Sequence, residues 1–344
     1  AIHVTDGRAH LVVINASLNG VSGQDAIVCK GKLYARNVQS IDYDMVIDDT
    51  GSNNRDATGG SGTTVLTEHT TFGPFSAFSG MLQGAMQLPI EDFEVYHTDN
   101  LSVWENVATH GAIRNDGNDD LAALQATIDA GNPIVYLPQG NYHVSNTLVV
   151  RGNVRTIIGL AASIKLTSSF PAGAPTIRFD GAAPEGTALQ FLRVYGTLEH
   201  NSKRTLAIKN CDVGSGYQNS VNGVGKLFLE DVIMGMMTID YPQKIWARQL
   251  NIELSSGDYI TNNGADMWIF GYKTENKNGS VLVNNGGRVE LFGGFFYPHN
   301  GSSSFPMLVN NEGELSATYK KDDLTTNNYP VHVRDIRNGQ TIDF

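Results

Sequence analysis

The apolar residues of this chain recur in short blocks rather than at helical spacing. Five blocks in the C-terminal part can be aligned with one another, and the equivalent residue recurs after 19, 22, 22 and 24 residues. The aligned residues are Leu227, Trp246, Trp268, Glu290 and Glu314. Strand-length blocks at a spacing of about 22 residues are typical of a solenoid in which each repeat forms one coil.

The position after each aligned residue is always apolar. It holds Phe228, Ala247, Ile269, Leu291 and Leu315. Because neighbouring side chains of a strand point to opposite faces, this column is predicted to face the core and the aligned column to face outward. The pattern therefore predicts an all-β fold, a parallel β-helix with coils of about 22 residues.

Similar blocks also occur before residue 100. They centre on Leu11, Leu33 and Val65, at steps of 22 and 32 residues. The repeat is therefore expected to begin near the start of the chain.

Residues 115–150 combine one predicted helix with two predicted strands. Asp119 or Asp120 can cap a helix because a carboxylate accepts the free amide hydrogens of the first turn. Leu121, Leu124 and Ile128 then share one face. Gly131 is suited to end the helix. The sequence thus predicts a short helix at 120–130 that covers the first coil of a β-helix.

This stretch resembles the start of the pectate-lyase-like β-helix superfamily. The shared features are the acidic pair, the Ala-Leu-Gln helix and the strand and turn VYLPQGNY. The later blocks WARQLNIE, WIFGYKTE and VELFGGFFYPH are similar to the last coils of polygalacturonase-related proteins. The resemblance implies a right-handed β-helix.

The position of the helix in the middle of the chain suggests two β-helices in tandem. Residues 1–84 would be the last coils of the first, 85–114 a linker and 115–344 the second. This layout is similar to that of fungal-type exo-β-1,3-glucanases. The first coil, near Ile2 to Ile14, has no helix before it, so we expect missing residues or another copy of the chain to cover it.

Composition and charge restrict the classes of molecule that the protein is expected to bind. The net charge of −11 over 344 residues argues against nucleic acid and, more weakly, against polyanionic glycans. No apolar run reaches the length of a membrane span. Neither zinc nor calcium motifs occur, and no cofactor is expected. A polysaccharide is the expected ligand.

Glu253 and Glu275 are the candidate catalytic residues. They lie 22 residues apart at the same place in adjacent repeats. Two carboxylates on stacked coils about 4.8 Å apart could act as a pair in glycoside hydrolysis. The candidate substrate-binding residues are Trp246 and Trp268, as an outward platform for sugar rings, with Arg248 and Lys273. The alternatives are a ladder of surface ion pairs and indoles buried under a loop.

Four Asn-X-Ser sequences are candidate glycosylation sites, at Asn15, Asn100, Asn278 and Asn300. They fit an extracellular protein, either secreted or on a cell surface.

Three functions remain open on the sequence. The chain is interpreted as a carbohydrate-active β-helix protein, with a glycoside hydrolase favoured over a lyase if it is catalytic. It could instead bind carbohydrate without chemistry. It could also be a structural or adhesive protein that assembles end to end into filaments through its coil ends, as a homo-oligomer.

Overall fold

The computed structural model describes residues 1–51, 53–73, 75–76, 78, 84–181, 185–275, 279–298, 304–321 and 329–344. The chain forms two compact units. One comprises Ala1–Met86 with Thr318–Lys320, and the other comprises Gln87–Ala317 with Lys321–Phe344. The division into tandem β-helices joined by a linker remains a prediction.

The first unit has five strands: β1 Ile2–Val4, β2 His10–Asn19, β3 Asp25–Cys29, β4 Lys32–Asp49 and β5 Ala57–Thr70. The first four pair in parallel, and Leu11 lies beside Leu33 as the 22-residue step predicts.

The expectation that Val65 continues this parallel repeat is wrong. It lies in β5, which runs antiparallel to β4 and places Val65 opposite Gln39. The chain reverses at a turn closed by the Asp49 carboxylate, which accepts hydrogen bonds from the amides of Gly51 and Arg55. A side chain that accepts two amide hydrogens in this way favours a turn over a continued strand.

The second unit contains the helix and the remaining strands, apart from Thr318–Lys320 of β22. Two 3₁₀ turns, Leu101–Val103 and Val107–His110, flank β6, and α1 spans Leu121–Asp129. The strands are β6 Trp104–Asn106, β7 Ile134–Leu137, β8 Gly140–Val144, β9 Leu148–Val150, β10 Thr156–Leu166, β11 Ile177–Phe179, β12 Thr187–Val194, β13 Thr197–His200, β14 Leu206–Asn219, β15 Leu227–Ile239, β16 Lys244–Ile252, β17 Ile260–Asn263, β18 Asp266–Glu275, β19 Leu282–Asn285, β20 Arg288–Tyr297, β21 Leu308–Asn311, β22 Glu314–Lys321, β23 Val333–Arg337 and β24 Gln340–Asp343.

Each coil of this unit has three strand segments. The long strand β15 contains all three, because its first two segments pair with β16 and its third pairs with β17. The pairing is parallel and in register over many coils, with Trp246 beside Trp268 and Trp268 beside Glu290. The predicted β-helix with coils of about 22 residues is confirmed.

The corner between the first and second segments is a single residue in the left-handed conformation. Phe191, Asn210, Asp231 and Gln249 occupy it with φ between 52° and 53°, and Gly271 and Gly293 occupy it in later coils. An L-residue with a side chain pays about 1–2 kcal/mol for this conformation. Asn and Asp tolerate the conformation better, because their short side chains form local hydrogen bonds.

The predicted inward column is confirmed except at one position. Ala247, Ile269 and Leu291 lie in register and are buried, and Leu315 is half-buried. Phe228, however, pairs with Trp246, and it is Leu229 that pairs with Ala247. The step at this coil is therefore 18 residues rather than 19, which places Phe228 on the outward face.

The helix α1 covers one edge of the first coil, as predicted. The side-chain amide group of Gln125 donates a hydrogen bond to the backbone carbonyl of Val149 and accepts one from the backbone amide of Val149. These bonds satisfy backbone groups at the edge of β9. Leu124 and Ile128 are buried. Asp119 accepts a hydrogen bond from the amide of Leu121 at the helix start, while Asp120 accepts from the amides of Ile113 and His143.

A ladder of buried asparagines closes the corner that leads back to the first segment. Asn262 donates to Asn284, which donates to Asn310, which donates to Asp335, at 2.9, 2.8 and 3.0 Å. The same amides donate to the turn carbonyls of Ala265, Gly287 and Gly313. Each buried side-chain amide therefore donates one hydrogen bond to a carbonyl of its own turn and one to the side chain of the next coil. The second bond links consecutive coils.

Among the residues that the structure describes, no helix is both long and apolar enough to cross a membrane.

Substitution of Asn284 by Ala should lower the free energy of unfolding by about 1–3 kcal/mol, because it removes the buried hydrogen bonds that Asn284 makes with Asn262, Asn310 and Gly287. Urea denaturation followed by circular dichroism would measure this. Thr261→Ala, on the outward face of the neighbouring strand, serves as the control. Equal stability of the two variants would contradict a structural role for the ladder.

Candidate functional site

Two carboxylates meet one lysine on the outward face of the second strand segment. Lys273 Nζ lies 2.5 Å from Oε1 of Glu253 and 2.5 Å from Oε1 of Glu275. The two oxygens are therefore no more than about 5 Å apart. The side chains keep 31–42% of their surface exposed, so the cluster is open to a ligand.

The strand register explains this meeting. Asn251 pairs with Lys273, and Ile252 pairs with Thr274, so that Glu253, directly after β16, lies at the level of Glu275, the last residue of β18. Lys273 and Glu275 are two residues apart on one strand and point to the same side. The predicted proximity of Glu253 and Glu275 follows from the stacking of coils about 4.8 Å apart, and Lys273 lies between them.

Tyr297 completes the cluster from the next coil. It pairs with Glu275 in register, and its hydroxyl donates to Oε1 of that carboxylate. Sequence reasoning missed Tyr297, although its position 22 residues after Glu275 was a usable signal.

The electrostatics of the cluster keep Lys273 protonated. Burial alone would lower the pKa of Lys273, but its hydrogen bonds to Glu253, Glu275 and Tyr297 outweigh this effect and raise that pKa above its usual value. Beneath the cluster, burial, together with the charges of the two glutamates, raises the pKa of Tyr259 to about 12. The site therefore presents an ammonium group between two carboxylates, with phenol groups that stay neutral.

The two tryptophans do not form the expected outward platform. Trp246 and Trp268 are each only 3% exposed. They lie on the outward face of the first strand segment, but an extended stretch, residues 89–96, here called the cover segment, passes over it. The indole of Trp246 donates to the carbonyl of Pro89 at 2.8 Å, and Phe228 stacks on Trp246 at 4.8 Å.

Arg248 is also held by the cover segment rather than by the glutamates. Its guanidinium group pairs with Asp92 at 2.8 Å, donates to the carbonyl of Glu91, and lies 5.0 Å from the ring of Trp268. The candidate substrate-binding residue Arg248 therefore contacts Asp92 and Glu91 instead of the acidic pair. The local repeat pattern predicted that the two indoles are exposed. The cover segment, which is distant in sequence, buries them instead, because burial of apolar rings is favourable.

The structure thus brings Glu253, Glu275 and Lys273 together and places Trp246, Trp268 and Arg248 on the neighbouring face. The catalytic and substrate-binding roles of these residues remain predictions.

Of the candidate glycosylation sites, Asn15 and Asn100 are exposed. Asn15 occupies a left-handed corner and accepts a hydrogen bond from Asn37, and Asn100 caps a 3₁₀ turn. Asn278 and Asn300 lie outside the described residues.

The same outward face continues beyond the cluster. Arg193, Asp212, Ile233, Asn251 and Lys273 follow one another in register on consecutive coils. At the corner beside Arg193, Phe191 exposes 43% of its surface, and Ile233 exposes 50%. This column was not predicted from the sequence. The coils that form it differ in length, and its residues are basic, acidic, apolar and amide side chains with no common pattern.

The fold is that of a pectate-lyase-like β-helix protein. The family model for rhamnogalacturonase A/epimerase, pectate lyase-like, matches residues 104–286, which is more than half of the chain. The chain belongs to this family. A search of the curated proteins finds no match.

Solved structures of related shape include ORF18 of Geobacillus virus E2, at 12% identity and a TM-score of 0.35, over 96% of this chain and 74% of that chain. Two structures of PfbA, a surface adhesin of Streptococcus pneumoniae, are similar at 13% identity and a TM-score of 0.30. They cover 63% and 67% of this chain and 77% and 83% of PfbA. Similarity of fold at this level does not carry a function with it.

The burial of the indoles can be tested by fluorescence. In a Trp104→Phe variant, where only Trp246 and Trp268 emit, acrylamide should quench the emission weakly, because the cover segment excludes it. An Arg248→Met variant in the same background should be quenched more strongly, since Asp92 and the Glu91 carbonyl lose their partner. Strong quenching before this second change would mean that the indoles are open to ligands.

Proposed function

We propose that this protein binds a polysaccharide outside the cell, through the outward face that carries Glu253, Lys273, Glu275 and Tyr297. The observation that carries this proposal is the exposed cluster in which two carboxylates share one ammonium group. Fixed charged groups form stronger hydrogen bonds than neutral ones, and sugar hydroxyls can both donate to carboxylates and accept from an ammonium group.

Binding fits the cluster better than hydrolysis does. Glycoside hydrolysis needs one carboxyl group that is free to give a proton to the leaving oxygen, whereas here both carboxylates accept a hydrogen bond from Lys273. A lyase would need a neutral base, and the raised pKa of Lys273 keeps that residue protonated at neutral pH.

Glycoside hydrolysis is the second candidate function. It is supported by the closeness of the two carboxylate oxygens, whose separation of at most about 5 Å is shorter than the roughly 6.5–9.5 Å that inverting enzymes need. A substrate that displaces Lys273 from one carboxylate would free that group for catalysis.

Substitutions of the two glutamates test both candidates. Glu275→Gln and Glu253→Gln should each weaken binding of a soluble neutral β-glucan by about tenfold, because a hydrogen bond to a charged group contributes about 1.5–3 kcal/mol. Glu230→Gln is the matched control, since Glu230 is also exposed and paired with a lysine, Lys209, at 2.7 Å. Affinity electrophoresis and reducing-end release would separate binding from hydrolysis.

If the parent chain binds no polysaccharide across a broad glycan panel, the proposed function is wrong. If the parent releases reducing ends and Glu275→Gln does not, hydrolysis replaces simple binding.

End-to-end assembly is a further candidate, supported by the edge strands of the first unit. β1 and β2 lie at the two ends of the strand order, and such edges can pair with another chain. A homo-oligomer formed in this way would suit an adhesive protein.

Light scattering at increasing protein concentration tests this assembly. We expect the mass to rise above that of the single chain and Val12→Lys, which adds a charge to β2, to reduce the rise. A constant single-chain mass at all concentrations would rule out the coil-end contact.

A further inference from the structure

We infer that the polysaccharide is neutral and extended, and that it lies along the coil stack on a binding track formed by Phe191, Arg193, Asp212, Ile233, Asn251 and Lys273. This inference rests on the proposed function, because the track ends at the glutamate cluster. It adds a second contact region remote from that cluster, and it specifies the chemistry and the direction of the ligand.

The length of the track follows from the strand register. Four steps from coil to coil lead from Arg193 to Lys273 through Asp212, Ile233 and Asn251. At about 4.8 Å for each step, the track is about 19 Å long. A disaccharide is shorter than this distance, whereas a longer oligosaccharide can contact both ends.

The surface at the Phe191 end of the track is open and concave. A depression of about 560 Å³ is lined by residues of four consecutive coils, including Phe191, Arg193, Asp212 and Ile233. A second depression of about 430 Å³, lined by Arg114, Gln139 and Asn141 among others, shares Ala161 with the first. The concave surface therefore continues past Phe191 towards the start of the stack.

Phe191 is the central residue of the second contact region. It occupies the left-handed corner with φ 52°, where the next two coils have Asn210 and Asp231. A phenylalanine in this strained conformation that also exposes 43% of its surface is not explained by packing. An exposed aromatic face beside polar groups suits the apolar face of a sugar ring.

The charges of the track select against a polyanion. Arg193 pairs with Asp212 at 3.1 Å, and Lys273 pairs with both glutamates, while Asp231 accepts only a neutral hydrogen bond from Asn210. The acidic groups thus outnumber the basic ones, and the face would repel a polyuronate. A neutral chain meets the ring of Phe191, the apolar Ile233 and paired polar groups that can reach hydroxyls.

Replacement of Phe191 by Asn tests the track without adding strain. Asparagine occupies the same corner at residue 210 with φ 53°, so we expect Phe191→Asn to fold at least as stably as the parent. Tyr241→Asn is the matched control, because Tyr241 is an exposed aromatic residue in the turn between β15 and β16 and lines neither depression.

Isothermal titration calorimetry would use linear neutral β-glucan oligosaccharides of increasing length, and polygalacturonate as the polyanion, at low and high salt. Phe191→Asn should weaken binding of the long oligosaccharides roughly fivefold, as expected for the loss of one aromatic contact, and leave the disaccharide unaffected. Tyr241→Asn should match the parent, and salt should have little effect on the neutral ligand.

The outcomes distinguish this inference from the proposed function. If Glu275→Gln weakens binding but Phe191→Asn does not, the track is wrong and the cluster stands. If the parent binds only polygalacturonate, the neutral ligand is wrong. If the parent binds neither glycan, both proposals fail. If Phe191→Asn abolishes self-association in light scattering and leaves glycan binding intact, the face contacts a second copy of the chain.

Discussion

In-register stacking of parallel coils decides where nearly every side chain of this protein lies. Each backbone amide and carbonyl group of a strand bonds to the coil before or after it, so a residue is fixed in a column that runs along the stack. Side chains alternate between the inside and the outside, and a shift of one residue reverses them. Phe228 illustrates this, because a coil shorter by one residue places it beside Trp246 instead of in the core.

Two corners keep the register. At one corner a single left-handed residue turns the chain, which allows the next segment to face a new direction while the hydrogen bonds between coils continue on both sides. At another, the ladder from Asn262 to Asp335 links consecutive turns through buried amides. Local backbone preference therefore shapes each coil, and polar contacts between coils fix their spacing.

The candidate site is a consequence of the same stacking. Glu253, Lys273 and Tyr297 come from three consecutive coils and meet because the coils are aligned. On the neighbouring face the cover segment buries Trp246, so that this indole is not open to a ligand. Membership of the pectate-lyase-like family accounts for the fold, whereas the chemistry depends on which outward columns remain exposed.

The coil length, most of the inward column and the helix at Leu121–Asp129 could be predicted from the amino-acid sequence, because these features follow from periodicity and local capping. The proximity of Glu253 and Glu275 was predictable as well, because they occupy the same position in adjacent repeats. Their shared lysine, the missed Tyr297 and the burial of Trp246 were decided by the tertiary structure. Residues 89–96 are remote in sequence from the strands they cover, and no local pattern records which face a distant segment will bury.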